Sequence, residues 1–151
     1  MGWPGFAPGR WKDLRRGLEK QLRTPPHPVV FASDSDDAAC RDLRDCLAAA
    51  GLDGWAGVAQ RDFFTFHPRE VTARPGVVVI NPPYGRRIGS RPQSATLTAR
   101  IGEKLRRDYA GWRFALLGDA SVRPAQIGLG GRTHPFFHGG RKINVLTGKL
   151  G

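Results

Sequence analysis

Cysteine is nearly missing from this chain of 151 residues, with only Cys40 and Cys46 present. Two thiols six positions apart in a segment patterned as a helix point to different faces. They make neither a metal-binding motif nor a disulfide framework. A reducing setting, the cytoplasm, is the expected compartment. No run of ~18 apolar residues occurs, so no membrane-spanning helix is expected. The N-terminus shows no charged segment leading into an apolar one, so no signal peptide is expected. Internal repeats and low-complexity tracts are absent as well. Acid is the scarce charge: 13 Asp and Glu stand against 24 Lys and Arg, for a formal net charge of +11. A balance this basic attracts polyanions whatever its origin. Arginine supplies most of it, and its planar fork suits bidentate phosphate contacts, so nucleic acid is the expected partner.

What is present reads as an α/β chain. The length fits one domain that removes ~68–70% of its unfolded surface from water. Residues 1–10 are rich in glycine and proline and read as irregular. The stretch "WKDLRRGLEKQLR" (11–23) places Trp11, Leu14, Leu18 and Leu22 at helical spacing, and "TPPHP" then breaks the chain. Residues 1–28 are therefore a lead-in, and 29–151 form the domain proper. Strands are predicted over 29–34, 55–63, 75–83 and 112–119, helices over 36–51 and 94–111. The tail 136–150 is predicted as a hairpin turning at Gly139-Gly140. Strands alternating with helices imply a parallel sheet covered on both faces. The unbroken run Val77–Ile80 agrees, because a strand buried on both faces need not alternate.

In open α/β sheets ligands bind beyond the carboxyl ends of the strands. The first strand runs into "SDSDD" (33–37). A carboxylate there can accept both hydroxyls of a ribose, the role expected of Asp34, whereas Asp36 is placed to cap the following helix. The next strand is followed by Asp62 and Phe63. The acid can accept from a purine amine while the ring packs on the base, or it can be a plain turn residue. The clearest strand ends in Asn81-Pro82-Pro83-Tyr84. Prolines fix the backbone and withhold N–H donors, which leaves carbonyls free to accept. The Asn81 side-chain oxygen and the Pro82 carbonyl make two acceptors at one point. That pair suits a group with two hydrogens, an exocyclic amine. Tyr84 offers a face for a base to stack on, an interaction worth ~1–3 kcal/mol in single-strand binders. Pro83, Arg86 and Arg87 follow as substrate-binding candidates, the arginines toward phosphate. His134 and His138 are four apart but interrupted by Pro135, so no metal site is expected.

"NPPYG" behind an apolar strand resembles the fourth motif of methyltransferases that modify amino groups with S-adenosylmethionine. "ASDSDDAA" is similar to their second motif and "RDF" to their third. "RIGEKLRRDYAGWRFALLGD", "GFAPGRW" and "GGRKINVLTGKL" resemble segments of the large-subunit ribosomal RNA guanine-N2 methyltransferases and of relatives carrying an RNA-binding THUMP domain. The resemblance implies a Rossmann-like class I methyltransferase sheet with a C-terminal antiparallel hairpin. It implies S-adenosylmethionine as cofactor and RNA, ribosomal RNA above all, as substrate. Asn81, Pro82 and Tyr84 become the catalytic residues, with Asp34, Asp62 and Phe63 toward the cofactor. One element of the pattern is not found: no strand with a Gly-rich loop stands before Val29, and no THUMP region either. The chain thus resembles the C-terminal part of such an enzyme, with a gap expected in its sheet. A partner chain or a further N-terminal region is the expected source of the first strand and the THUMP domain. Adenine-N6 methylation of RNA or DNA, or a non-catalytic RNA-binding remnant of the fold, are the alternative expectations.

Overall fold

The computed structural model describes residues 5–21, 23, 25–83, 91–120, 122–138 and 140–151. The chain divides into two compact units, Met1–Asp62 and Phe63–Gly151.

The first unit opens with helix α1, Pro8–Glu19. It begins three residues ahead of the predicted start because Pro8 occupies the first turn, where a missing N–H costs nothing. Its apolar stripe is real but unburied: Trp11, Leu14 and Leu18 are each more than half exposed. Strand β1 (Val30–Asp34) pairs in parallel with β2 (Ala56–Gln60), setting Asp34 opposite Gln60 at the carboxyl ends. Between them runs α2, Asp37–Ala49. Asp36 caps it as expected, accepting from the Ala38 amide at 2.9 Å. Gly51, at φ +66°, supplies the left-handed turn that ends it. Cys40 is buried, its Sγ lying 3.6 Å from the Asp34 carbonyl and 3.5 Å from that of Ala59. Cys46 is exposed, so the two thiols do face different ways.

The second unit is built on a four-stranded sheet of β3 (Val77–Ile80), β4 (Arg113–Asp119), β5 (Arg132–His138) and β6 (Arg141–Lys149). The order is β3-β4-β6-β5, with β3 parallel to β4 and the rest antiparallel. The C-terminal hairpin is therefore present, and its first strand starts at Arg132, ahead of the predicted 136. Helix α3 (Arg91–Asp108) packs on one face of this sheet. Ile101 and Leu105 of α3, with Tyr109 just beyond it, meet Phe114 and Leu116 of β4, Leu146 of β6, and Ile127 and Leu129 from the chain around a 3₁₀ turn at Pro124–Ile127. Each such side chain stabilises the fold by roughly 1.5–3 kcal/mol. The helix stops at Asp108, three residues before its predicted end. At Gly111 (φ +82°) the amide has left the helix and donates to the Leu150 carbonyl, which ties the helix end to the tail of β6.

The parallel strands stand in two sheets, β1-β2 and β3-β4-β6-β5. Among the described residues β1 and β3 each pair along one edge only. Val78 and Ile80 pack against the core, while Val77 and Val79, on the other face of β3, are 62% and 68% exposed.

Candidate functional site

Two strand ends in the first unit carry acid. The Asp34 Oδ1 accepts from the Asp36 amide at 3.0 Å, a local turn that fixes the carboxylate beyond β1. Its carbonyl accepts from the Arg61 amide at 2.8 Å, which holds the segment after β2 beside it. The Gln60 side chain donates to the Ser35 carbonyl at 3.1 Å, tying the two strand ends further. Asp34 and Asp62 are both exposed. Two carboxylates beyond neighbouring parallel strands can accept from hydroxyls or an amine. The cap at Asp36 leaves Asp34 as the residue available to a ribose.

In the second unit, Asn81 stands one residue past β3 and is exposed, with Pro82 half-buried and Pro83 exposed behind it. Among the described residues the Asn81 amide group makes no hydrogen bond. Its strand is registered on β4, with Ile80 opposite the fully buried Leu116. Tyr84, Arg86 and Arg87 lie outside the described residues. Phe63 packs on rings of its own unit: its centroid is 6.2 Å from Tyr109 in a stacked arrangement and 5.4 Å from Phe64, edge to face.

A buried ion pair was not anticipated. Lys104, on the core side of α3, donates to Asp108 at 2.6 Å, and the two side chains are only 3% and 9% exposed. Arg107 adds contacts at 2.8 and 3.1 Å. The Arg107 hydrogen bond first, and then that of Lys104, hold the Asp108 carboxyl well below the usual range against the opposing effect of burial. Burial, aided by the negative charge of Asp108, pushes the Tyr109 phenol up to about 12. Lys104 and Asp108 sit at i and i+4 between Ile101, Leu105 and Tyr109, and that pattern was the available signal. His134 lies on strand β5 and contacts the Thr147 hydroxyl at 3.0 Å. Among the described residues no group of three or more His, Cys, Asp or Glu is placed to hold a metal ion. No helix of the described residues is long and apolar enough to cross a membrane.

The RMKL-like methyltransferase domain family matches residues 3–127. The chain belongs to that family. The ribosomal RNA large subunit methyltransferase K/L of Ectopseudomonas mendocina is 30% identical over 98% of the chain, and that of Marinobacter nauticus is 29% identical over 84%. The chain spans only about a fifth of these relatives, 21% and 18% of their lengths. Among solved structures, SMU.472 complexed with SAH superposes with a TM-score of 0.77 at 18% identity, covering 99% of the chain and 39% of that protein. A structure described as a predicted N6-adenine-specific DNA methylase from Listeria monocytogenes gives 0.70 at 20% identity, covering 96% of the chain and 36% of its own. The fold is that of these methyltransferases.

Proposed function

We propose that the chain forms the target-base half of a methyltransferase, moving a methyl group from S-adenosylmethionine to an exocyclic amine of RNA, namely guanine N2 of large-subunit ribosomal RNA. The observation that carries this is the strand end at Asn81, where an exposed amide, without a partner among the described residues, meets two prolines at the carboxyl end of a parallel strand. The Asn81 Oδ1 and the Pro82 carbonyl accept the two amine hydrogens and favour a pyramidal nitrogen. The nitrogen lone pair is thereby released from the ring toward the incoming methyl. Preformed acceptors of this kind act by orientation and by stabilising developing charge. Tyr84 stacks on the base, which must be unpaired or flipped out to reach the turn. Pro83, Arg86 and Arg87, next in sequence, are assigned to the substrate as well.

The acidic strand ends fit part of the cofactor. Asp34 offers acceptors to ribose hydroxyls and Asp62 to the adenine amine, with Phe63 nearby in sequence. When bound, the cofactor supplies an electrophilic sulfonium methyl. The described residues hold no Gly-rich loop behind a strand for its amino-acid end. Under this reading a further parallel strand, carried by another segment or by a partner chain, completes the sheet, and a THUMP-type domain adds RNA affinity. The unpaired edges of β1 and β3 support the first of these. The lead-in 1–28 belongs to the segment between the first and second motifs, and the reaction is placed in the cytoplasm with its ribosomal substrate.

The test is single-turnover methylation of unmodified large-subunit ribosomal RNA with tritiated cofactor, using the chain within its complete enzyme. Asn81→Ala is expected to lower the rate at least ~10²-fold, the cost of removing one preorganised acceptor. Cofactor affinity by calorimetry should hardly change. A near-normal rate would sink the role given to Asn81. Nucleoside analysis of the product separates N2-methylguanosine from N6-methyladenosine and so decides between the two target amines.

A further inference from the structure

We infer that a basic groove on the second unit, at the end of β3 opposite Asn81, docks the phosphodiester backbone of the RNA. The inference rests on RNA being the substrate, but it concerns a surface the methyl-transfer reading does not use.

The groove consists of two adjoining depressions of about 170 and 150 Å³ that share Arg107. The first lies against α3 and carries Arg100, and the second follows the 67–75 segment and carries Arg69 and Arg74. Pro75 and Trp112, just ahead of β3 and β4, line the second, so it sits where those strands begin. Asn81 sits where β3 ends. Four strand residues put roughly 13 Å between those ends, about four rises of a helical nucleic-acid strand.

The charge is one-sided. Two carboxylates line the groove, Glu103 and Asp108, and Asp108 is consumed by buried Lys104. That leaves four exposed guanidinium groups facing one exposed acid. They are also partly preorganised. The Arg100 guanidinium carbon lies 4.3 Å over the Phe64 ring. Arg107 is held by its two hydrogen bonds to Asp108, which occupy Nε and Nη2. The Arg74 amide donates to the Thr72 hydroxyl at 3.2 Å, which fixes the turn presenting its side chain. Arginines held this way lose less rotamer freedom on meeting phosphate than free ones. Arg106, one turn before Tyr109, does not belong to the set, because its Nη1 donates to the Ile127 carbonyl at 2.5 Å.

The experiment is fluorescence anisotropy of a fluorescein-labelled, 16-nucleotide single-stranded RNA of mixed sequence, titrated from 50 to 200 mM salt. The groove variant is R69Q/R74Q/R100Q, which spares Arg107 and therefore the Asp108 cluster. The control is R10Q/R15Q/R16Q on α1, with the same change in net charge. Each lost phosphate contact should flatten the log–log salt slope by about 0.7, so the groove variant should flatten it by about 2. Across this salt range the wild-type affinity then falls roughly 20-fold more than that of the variant. The control should flatten the slope by much less. If the control matches the groove variant, or the groove variant keeps the wild-type slope, the docking surface is refuted. Circular dichroism confirms folding, and R69Q and R100Q singly, at about 0.7 each, repeat the test should the triple variant unfold. The assay needs neither cofactor nor methyl transfer. Failure of the docking surface and failure of the methyl-transfer reading are therefore told apart.

Discussion

Replacing Lys104 by methionine should be among the most damaging conservative changes in the second unit. The change keeps the aliphatic stem and removes the ammonium. Lys104 is 3% exposed and Asp108 9%, with Nζ and Oδ2 2.6 Å apart. After the substitution Asp108 keeps only Arg107, whose side chain is 67% exposed and whose attraction water therefore weakens. Breaking a buried pair by removing one partner costs about 3–5 kcal/mol. The surviving Arg107 contact argues for the lower end, about 3 kcal/mol, or a fall in Tm of roughly 6–12 °C for a chain of this size. Removing both charges together, as Lys104→Met with Asp108→Leu, leaves nothing uncompensated and should come within about 1 kcal/mol of wild type or above it. Urea unfolding of the wild type, both single variants and the double variant closes the cycle and isolates the coupling. Acid supplies a second readout. Because the folded Asp108 pKa is depressed, its contribution is fully present above the unfolded value of about 3.9 and is lost as pH falls through the folded one. Wild-type stability should therefore drop steeply below pH ~4, and the double variant should drop less. A cost below about 1 kcal/mol for Lys104→Met at neutral pH would show that water reaches the pair, and the argument from desolvation would fail.

Three further outcomes are expected. Under the proposed reading, in which the acidic strand ends address only the nucleoside end, the chain by itself should bind S-adenosylmethionine weakly or not at all; micromolar affinity by calorimetry would contradict this. Gly102→Ala should destabilise by more than 2 kcal/mol on urea unfolding, although alanine favours helix by ~1 kcal/mol, because a Cβ there runs into the Ile127 carbonyl oxygen. Asp36→Ala should cost about 1 kcal/mol through loss of the cap on α2, read by thermal melting, and no loss would mean the cap is replaced by solvent.

The strands were legible because each signals itself locally. Val77–Ile80 is an apolar run bounded by Gly76 and Asn81, and the run ahead of Asp34 ends in turn-forming Ser and Asp. Reading the carboxyl ends of the strands singled out Asp34, Asp62 and Asn81, and the structure has Asp34 as the last residue of β1, Asp62 two residues past β2 and Asn81 one past β3. Boundaries set by distant contacts were less legible. The end of α3 depends on Gly111 bonding to Leu150, and the early start of β5 on its pairing with residues up to Thr147 of β6, long separations that no local pattern carries. The Lys104–Asp108 pair escaped for a related reason. Read along the chain, lysine and aspartate four apart look like a solvated helix face. Only their place beside the apolar stripe of Ile101, Leu105 and Tyr109 signals that they turn inward. Among the described residues, 3₁₀ turns at Pro68–Glu70 and Pro124–Ile127 are held by Glu70 and Gln126 side chains reaching back to the backbone, a device too short to give a periodic signal.

The support of β3 bears on the role proposed for the Asn81 turn. An acceptor pair for an amine must be held to within about 0.5 Å of its productive position. Yet β3 has four residues and, among the described residues, one hydrogen-bonded neighbour, β4. Its inner residues, Val78 and Ile80, are anchored on the core, while Val77 and Val79 are exposed. An edge strand this short is a weak platform, because local opening is easiest where backbone hydrogen bonds are few and exposed. The two prolines compensate in part by fixing φ without any partner strand. Pairing of the free β3 edge would supply the rest. It would restrict the turn from the side that β4 does not reach, and its effect should fall on the rate of methyl transfer. Under the proposed docking, capture of RNA by the arginine groove at the far end of β3 does not depend on that edge. In that reading, completion of the sheet and docking of the RNA are physically separable contributions to methyl transfer.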